Sequence, residues 1–294
     1  MKAAQARTKV SVERILFATD FSQASGAAAQ IAKQIARCYG AKIYAVHVNK
    51  FPDYTAAAPD AWQVMKDAEE RQSQEDAERL NQELRNIEHL AIREGRVWEV
   101  VSELIQEKGI DLVIVGTQGR TGLEKMLLGS VAEEILRQAP CPVLTVGPNV
   151  NLWSDEYAHM REILYATDLT AEVPVAGPFA VSLAQQNQAH LVLLHVIEDP
   201  KAEDLVKSPQ VLEATERKLR ELLPTEAGLW CEPTSVVEQG ASAEKILDVA
   251  KRRHTDLIVL GARPAKGCAA THLAVGAAHH VISQAPCPVL TVRG

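Results

Sequence analysis

Short runs in which successive residues are all apolar recur along the chain, among them LVIV at 112–115 and LVLL at 191–194. A strand apolar at successive positions is buried on both faces, as in a parallel sheet covered by helices. In the first half, strands are predicted near 12–18, 42–48, 88–93, 111–116 and 142–146. Helical patterns fall between them, near 23–39, 61–86, 97–108 and 130–138. The stretch 61–86 is rich in Glu, Gln, Arg and Ala and reads as a solvated helix. The second half repeats the scheme, with strands near 162–167, 190–196, 232–237, 256–261 and 288–292. Alternating strands and helices of this kind predict βαβ units and an α/β fold with helices on both sides of the sheet.

The two halves are related by sequence as well as by pattern. RILFATDFS (14–22) answers EILYATDLT (162–170), and AKIYAVHV (41–48) answers AHLVLLHV (189–196). DLVIVGTQG (111–119) answers DLIVLGARP (256–264), and APCPVLTV closes both halves, at 139–146 and 285–292. A repeat this long means two whole domains, not a solenoid. They are placed at 1–150 and 151–294, with 147–161 as the linker.

Composition narrows the function classes. The chain of 294 residues is 47% apolar and 23% charged, as expected for a folded, soluble protein. Its net charge is −7, and neither half has a basic surplus: 18 Lys and Arg against 20 Asp and Glu in 1–150, and 13 against 18 in 151–294. That argues against a nucleic-acid partner, which a basic excess would attract. The five Cys show no CxxC or framework spacing and fit a reducing compartment. No signal-like apolar segment opens the chain and no run approaches the length of a membrane span. The expected address is therefore cytoplasmic, with no membrane partner.

Ligands of an open parallel sheet collect at the carboxyl ends of its strands. In the first half, Thr19-Asp20-Phe21-Ser22 follows strand one, and His47-Val48 ends strand two. GTQGRTGLEKMLLGS (116–130) follows strand four. In that loop, Gly116, Gly119, Gly129 and Ser130 form G-x2-G-x9-G-S. Glycines let backbone N–H groups approach an anion closely, and Ser130 reads as the N-cap of the helix SVAEEILRQ, whose free N–H groups suit phosphate. Arg120 and Lys125 add positive charge. The pattern is not Walker A, because no GK[ST] follows the glycines.

These motifs resemble those of the universal stress protein family: TDFS after strand one, VHV at strand two, the glycine pattern after strand four and a closing PVLTV strand. The resemblance covers nearly the whole chain, twice. It implies two tandem doubly wound domains, each a five-stranded parallel sheet of order 3-2-1-4-5 flanked by helices. It also implies ATP (or ADP or AMP) binding, with Mg2+, and a stress-linked regulator or sensor rather than an enzyme. Carried over by position, Asp20 would hold the ribose region, Thr19 and Phe21 would belong to the nucleotide site beside it, and the Val48 main chain would meet adenine. Gly116, Thr117, Gly119, Arg120, Gly129, Ser130 and Val131 would hold the phosphates. The closing strands resemble the family's dimerisation strand and imply internal pairing of the two domains, with a homodimer of chains formed through outer helical faces.

The second glycine loop, GARPAKGCAATHLAVGAA (261–278), departs from the pattern. Pro264 stands where the second Gly would be and lacks an N–H, the spacing to Gly276 grows to eleven, and Ala277 replaces the serine. A degenerate partner domain is expected there, although Asp168 and Val196 persist and Gly267, Arg263 and Lys266 offer an improvised anion site. Cys268, His272, His279 and His280 do not have a strong zinc spacing, and no metal site is expected. Cys141 and Cys287 read as buried small hydrophobes, and His47 and His195 as packed strand residues. Two alternatives stay open: a slow ATP hydrolase of the adenine-nucleotide hydrolase-like group, against which ATDFSQ stands where a pyrophosphatase loop would need SGGxDS, and an unliganded interaction module.

Overall fold

The computed structural model describes residues 10–49, 59–83, 87–118, 128–151, 153, 160–169, 176–198, 208–223, 233–262 and 277–293. In the first half, β1 (Arg14–Thr19) leads to α1 (Gln23–Tyr39), β2 (Lys42–Asn49) to α2 (Pro59–Glu83), β3 (Ile87–Glu94) to α3 (Val97–Lys108), and β4 (Leu112–Gly116) to α4 (Ser130–Gln138) and β5 (Val143–Val146). The second half repeats this series: β6 (Glu162–Ala166), α5 (Ala176–Asn187), β7 (His190–Ile197), α6 (Pro209–Glu221), β8 (Thr234–Gln239), α7 (Ser242–Arg252), β9 (Leu257–Ala262), α8 (Ala277–Gln284) and β10 (Val289–Arg293).

The fold is α/β. Within each half every strand pair is parallel, and the order is β3-β2-β1-β4-β5 in the first and β8-β7-β6-β9-β10 in the second, which is one topology twice. Helix boundaries follow local chemistry. Ser22 caps α1 by accepting a hydrogen bond from the Ser25 N–H, and Gly40 ends it in a left-handed conformation (φ 67°). Gly109 ends α3 in the same way (φ 60°). The helix α2 is mostly exposed and buries only a narrow stripe that includes Ser73 and Ala77, which accounts for its polar composition.

One carboxylate in each half pins the start of its first strand. Asp111 Oδ2 accepts from the Glu13 and Arg14 N–H groups, both at 2.9 Å, and Asp256 Oδ2 accepts from those of Arg161 (2.7 Å) and Glu162 (3.1 Å). These paired acceptors sit at the same place in the repeat and set the register of β1 against β4 and of β6 against β9.

The halves join edge to edge. β5 runs antiparallel to β10, with Leu144 opposite Leu290 between Thr145–Val289 and Val143–Thr291, so one ten-stranded sheet crosses the molecule. The Thr145 hydroxyl donates to the Val289 carbonyl at 3.1 Å. Pairing two apolar edges leaves neither exposed. Both core clusters, one on each face of the sheet, run through both halves without a break. The segments that precede each domain also cross over. The Val10 N–H donates to Ser182 Oγ on α5 (2.8 Å), and Gln186 Nε2 donates to the Val10 carbonyl (3.0 Å). Reciprocally, Gln34 Nε2 on α1 donates to the Trp153 carbonyl at 2.9 Å. Arg293, at the end of β10, donates to the Leu136 and Arg137 carbonyls at the C-terminus of α4, where a cation meets the negative end of the helix.

Candidate functional site

The turn between β1 and α1 builds one wall of the site. Phe21 turns left-handed (φ 59°), and Leu169 does the same at the matching place in the second half. For a non-glycine residue such a conformation costs about 1–3 kcal/mol and persists only where the surroundings hold it. Here the Phe21 N–H donates to Thr19 Oγ1 (3.0 Å), and Asp20 Oδ1 accepts from the Ser22 N–H (3.0 Å) and the Ser25 hydroxyl (2.6 Å). Asp20 is partly buried and braces the first turn of α1. His47, level with Thr19 across the sheet, donates from Nδ1 to the Thr19 carbonyl at 2.8 Å, and its ring lies 4.6 Å from that of Phe21. His195 makes the matching bond to Thr167 at 2.9 Å. The two histidines are strand-to-strand braces.

The second wall is the start and end of the glycine loop. The Thr117 N–H donates to the Val146 carbonyl (2.9 Å), and the Thr117 carbonyl accepts from the Gly129 N–H (2.8 Å). The loop therefore returns to the end of β4 and delivers the N-terminus of α4 to the carboxyl edge of the sheet. There the Ser22 hydroxyl reaches the Gln118 carbonyl at 3.3 Å, joining the two walls. Val48, one residue beyond His47 on β2, and Val131, in the first turn of α4, pack on the same core cluster. The positions named from sequence at 19–21, 48, 116–117 and 129–131 thus gather at one end of the first domain. Gly119, Arg120 and Lys125 lie outside the described residues.

Two sequence readings change in detail. The N-cap of α4 is Gly129 (φ −62°, ψ 143°), and Ser130 is the first helical residue, exposed at the mouth of the site. An extended residue must precede the first helical one, and Gly129 takes that place, so no side chain caps α4. Gly116 has a packing reason beside any ligand role. A Cβ there would stand 3.2–3.3 Å from the backbone of Ala24 and Ser25, so the first turn of α1 comes this close only because position 116 has no side chain. We expect Gly116→Ala to lower stability by about 1–2 kcal/mol, overpacking being partly offset by the lower conformational entropy of an unfolded chain with one glycine fewer. Denaturant melts check this, and an unchanged midpoint would contradict it.

Ser22, Ser25 and Gln118 belong to the site although sequence reasoning did not single them out as ligand positions. The S-x-x-S spacing one residue after TD, a cap and its partner in the first helical turn, is the signal that marks Ser22 and Ser25. Thr117 is buried, and its hydroxyl has no partner among the described residues; it lies against Gly147.

In the second domain, Thr167, Asp168 and Leu169 repeat the β1 turn, with Leu169 N–H bonded to Thr167 Oγ1 at 3.2 Å. Residues 263–276, which include Pro264, Cys268 and His272, lie outside the described residues. At the carboxyl end of β7, Glu198 caps α7 by accepting from the Ser242 N–H (3.1 Å), and hydrogen bonds from the Ser242 hydroxyl and N–H hold its carboxyl below the usual range. Burial, with Asp111 nearby, pushes the Cys141 thiol up to about 11; burial raises that of Cys287 further still. Both thiols favour the neutral, unreactive form. Among the described residues no group of three His, Cys, Asp or Glu side chains is placed to hold a metal, and no helix is long and apolar enough to cross a membrane.

Comparison with known proteins decides the family. The universal stress protein family model matches residues 11–147 and again 159–293. The chain belongs to the universal stress protein family. It carries two universal stress protein domains in tandem. A universal stress protein of Methanocaldococcus jannaschii is 34% identical over 138 residues, 46% of this chain and 81% of the relative. Another, from Thermus aquaticus, is 32% identical over 133 residues, 45% of this chain and 96% of the relative. The crystal structure of a universal stress protein from Archaeoglobus fulgidus superposes with a TM-score of 0.65 over 96% of this chain and 98% of that one; at 18% identity the likeness shows the shared tandem fold.

Proposed function

We propose that the first universal stress protein domain binds an adenine nucleotide, ATP by preference, and that the chain acts as a regulator or sensor rather than as an enzyme. The observation that carries this reading is the convergence of two helix N-termini, those of α1 and α4, on the carboxyl ends of β1 and β4, tied together by the Ser22–Gln118 and Gly129–Thr117 hydrogen bonds. Helix N-termini present unpaired N–H groups and a positive dipole end, which suit phosphate. In this reading Gly116, Thr117, Gly119, Arg120, Gly129, Ser130 and Val131 hold the phosphate chain. Thr19, Asp20 and Phe21 border the ribose, and the Val48 main chain meets adenine. Mg2+ accompanies the phosphates, which supply most of its oxygen ligands. A regulator of this kind works in the cytoplasm. Copies associate through outer helical faces, such as that of α2 carrying the exposed Trp62, Val64 and Met65.

The test is mass spectrometry of small molecules released by denaturing the purified chain, before and after incubation with ATP and Mg2+. An adenine nucleotide at up to one equivalent per chain supports the reading. A chain that carries none and retains none after incubation and gel filtration overturns it.

A further inference from the structure

The amino ends of the second domain's strands carry a chain of three polar side chains. Glu162, His190 and Thr234 are the first residues of β6, β7 and β8. His190 Nδ1 lies 2.8 Å from Glu162 Oε2, and its Nε2 lies 2.8 Å from Thr234 Oγ1. Arg253 donates to the other carboxylate oxygen, Oε1, at 3.1 Å and so fixes the orientation of the carboxylate. The cluster is open to solvent: the His190 side chain is 38% exposed and Thr234 is half-buried. It is remote from the nucleotide site, which lies in the other domain and at the carboxyl ends of the strands.

An ionised carboxylate can only accept, so the His190 ring donates from Nδ1 to Glu162. In the neutral imidazole Nε2 then presents a lone pair, and the Thr234 hydroxyl donates to it. A hydroxyl within hydrogen-bond reach of a base, with that base oriented by a third group, is the arrangement that activates an oxygen nucleophile. Strand pairing does not demand this set. In the first domain the same topology and register place Arg14, Lys42 and His89 at the corresponding positions of β1, β2 and β3. Those strands pair without an acid, an imidazole and a hydroxyl in line.

We propose that Thr234 is a self-acylation site that takes an acyl group from a small acyl phosphate. The open surface suits a small donor, and the Arg253 guanidinium at the edge of the cluster draws an anionic one. In the step, Oγ1 forms a bond to the acyl carbon while its proton passes to His190 Nε2. The bond from the acyl carbon to the phosphate oxygen then breaks. Phosphate leaves with that electron pair and takes the proton from Nε2. Thr234 ends as an ester, His190 returns to the neutral form, and no oxidant or reductant takes part. One acyl group is transferred per chain.

The probe is acetyl phosphate, incubated with the full-length chain, quenched in acid and followed by peptide mass mapping. The expected product is an acetyl group on Thr234, approaching one per chain and released by alkaline hydroxylamine as an ester is. His190→Gln should slow its formation by about a hundredfold, and Glu162→Gln by about tenfold or more. Acetylation of exposed lysines, which does not use the cluster, should proceed alike in all three proteins and serves as the internal reference. ATP affinity should stay unchanged in both variants, which separates this site from the nucleotide reading. A Thr234 that is not acetylated, or one acetylated as fast in both variants as in the parent, overturns the proposal. If circular dichroism shows His190→Gln misfolded, the rate in Glu162→Gln decides alone.

Discussion

Leu144→Lys is expected to unfold the chain or separate its halves. Leu144 is 2% exposed and stands opposite Leu290, itself 5% exposed, at the centre of the β5–β10 pairing. Both lie in the apolar core cluster that runs through the two domains. The substitution removes a buried side chain worth about 2–5 kcal/mol and forces an ammonium into a largely apolar core, where burying charge is costly. A loss on the order of 5 kcal/mol matches the whole stability of many domains. Leu144→Met keeps the volume and should cost less than about 1.5 kcal/mol. Thermal melts and size-exclusion profiles of the two variants check this. A Leu144→Lys chain that melts and elutes like the parent would show that the edge pairing adds little to the fold.

The second large effect concerns nucleotide affinity. Gly129 sits where loop and helix meet, its N–H held by the Thr117 carbonyl and its own carbonyl accepting from the Glu133 N–H. Gly129→Val adds a branched side chain at the point where phosphate is proposed to approach the backbone. Ser130→Ala removes an exposed hydroxyl at the same mouth while leaving the helix N–H groups in place. A hydrogen bond to a charged group is worth about 1.5–3 kcal/mol, so Ser130→Ala should weaken ATP by roughly 10–150-fold. Gly129→Val should weaken it at least as much. Equilibrium dialysis with labelled ATP measures both, with circular dichroism to confirm the fold. Affinity unchanged in both variants would mean that the phosphates lie elsewhere.

Much of this architecture was legible in the residues because its strongest signals are local. The short unbroken apolar runs LVIV and LVLL read as strands buried on both faces, and the repeated landmarks showed that the second half copies the first. Helices α1, α3 and α4 begin and end where their sequence patterns predict, since caps and glycines mark those boundaries. For α2 the match is looser: 61–86 was expected and Pro59–Glu83 is observed, because a helix exposed on most sides has little apolar periodicity to mark its ends. For β8, 232–237 was expected and Thr234–Gln239 is observed, on a partly exposed edge strand with weaker patterning.

What remained hidden depends on contacts between distant residues. The left-handed turn at Phe21 is set by Thr19 and Asp20 side chains rather than by a glycine. The close approach behind Gly116 depends on where α1 packs, which no local pattern records. The shift of the α4 cap from Ser130 to Gly129 is one residue of backbone geometry. The crossing of Val10 onto α5 and of Trp153 onto α1 is visible only once the two domains are side by side.

The central claim is that one adenine-nucleotide site exists per chain and that it lies in the first domain. Isothermal titration of ATP with Mg2+ into the parent chain and into Gly129→Val tests it most directly. The account predicts a stoichiometry of one for the parent and loss of that site in the variant. Two equivalent sites, or a single site that survives Gly129→Val with its affinity intact, would contradict it.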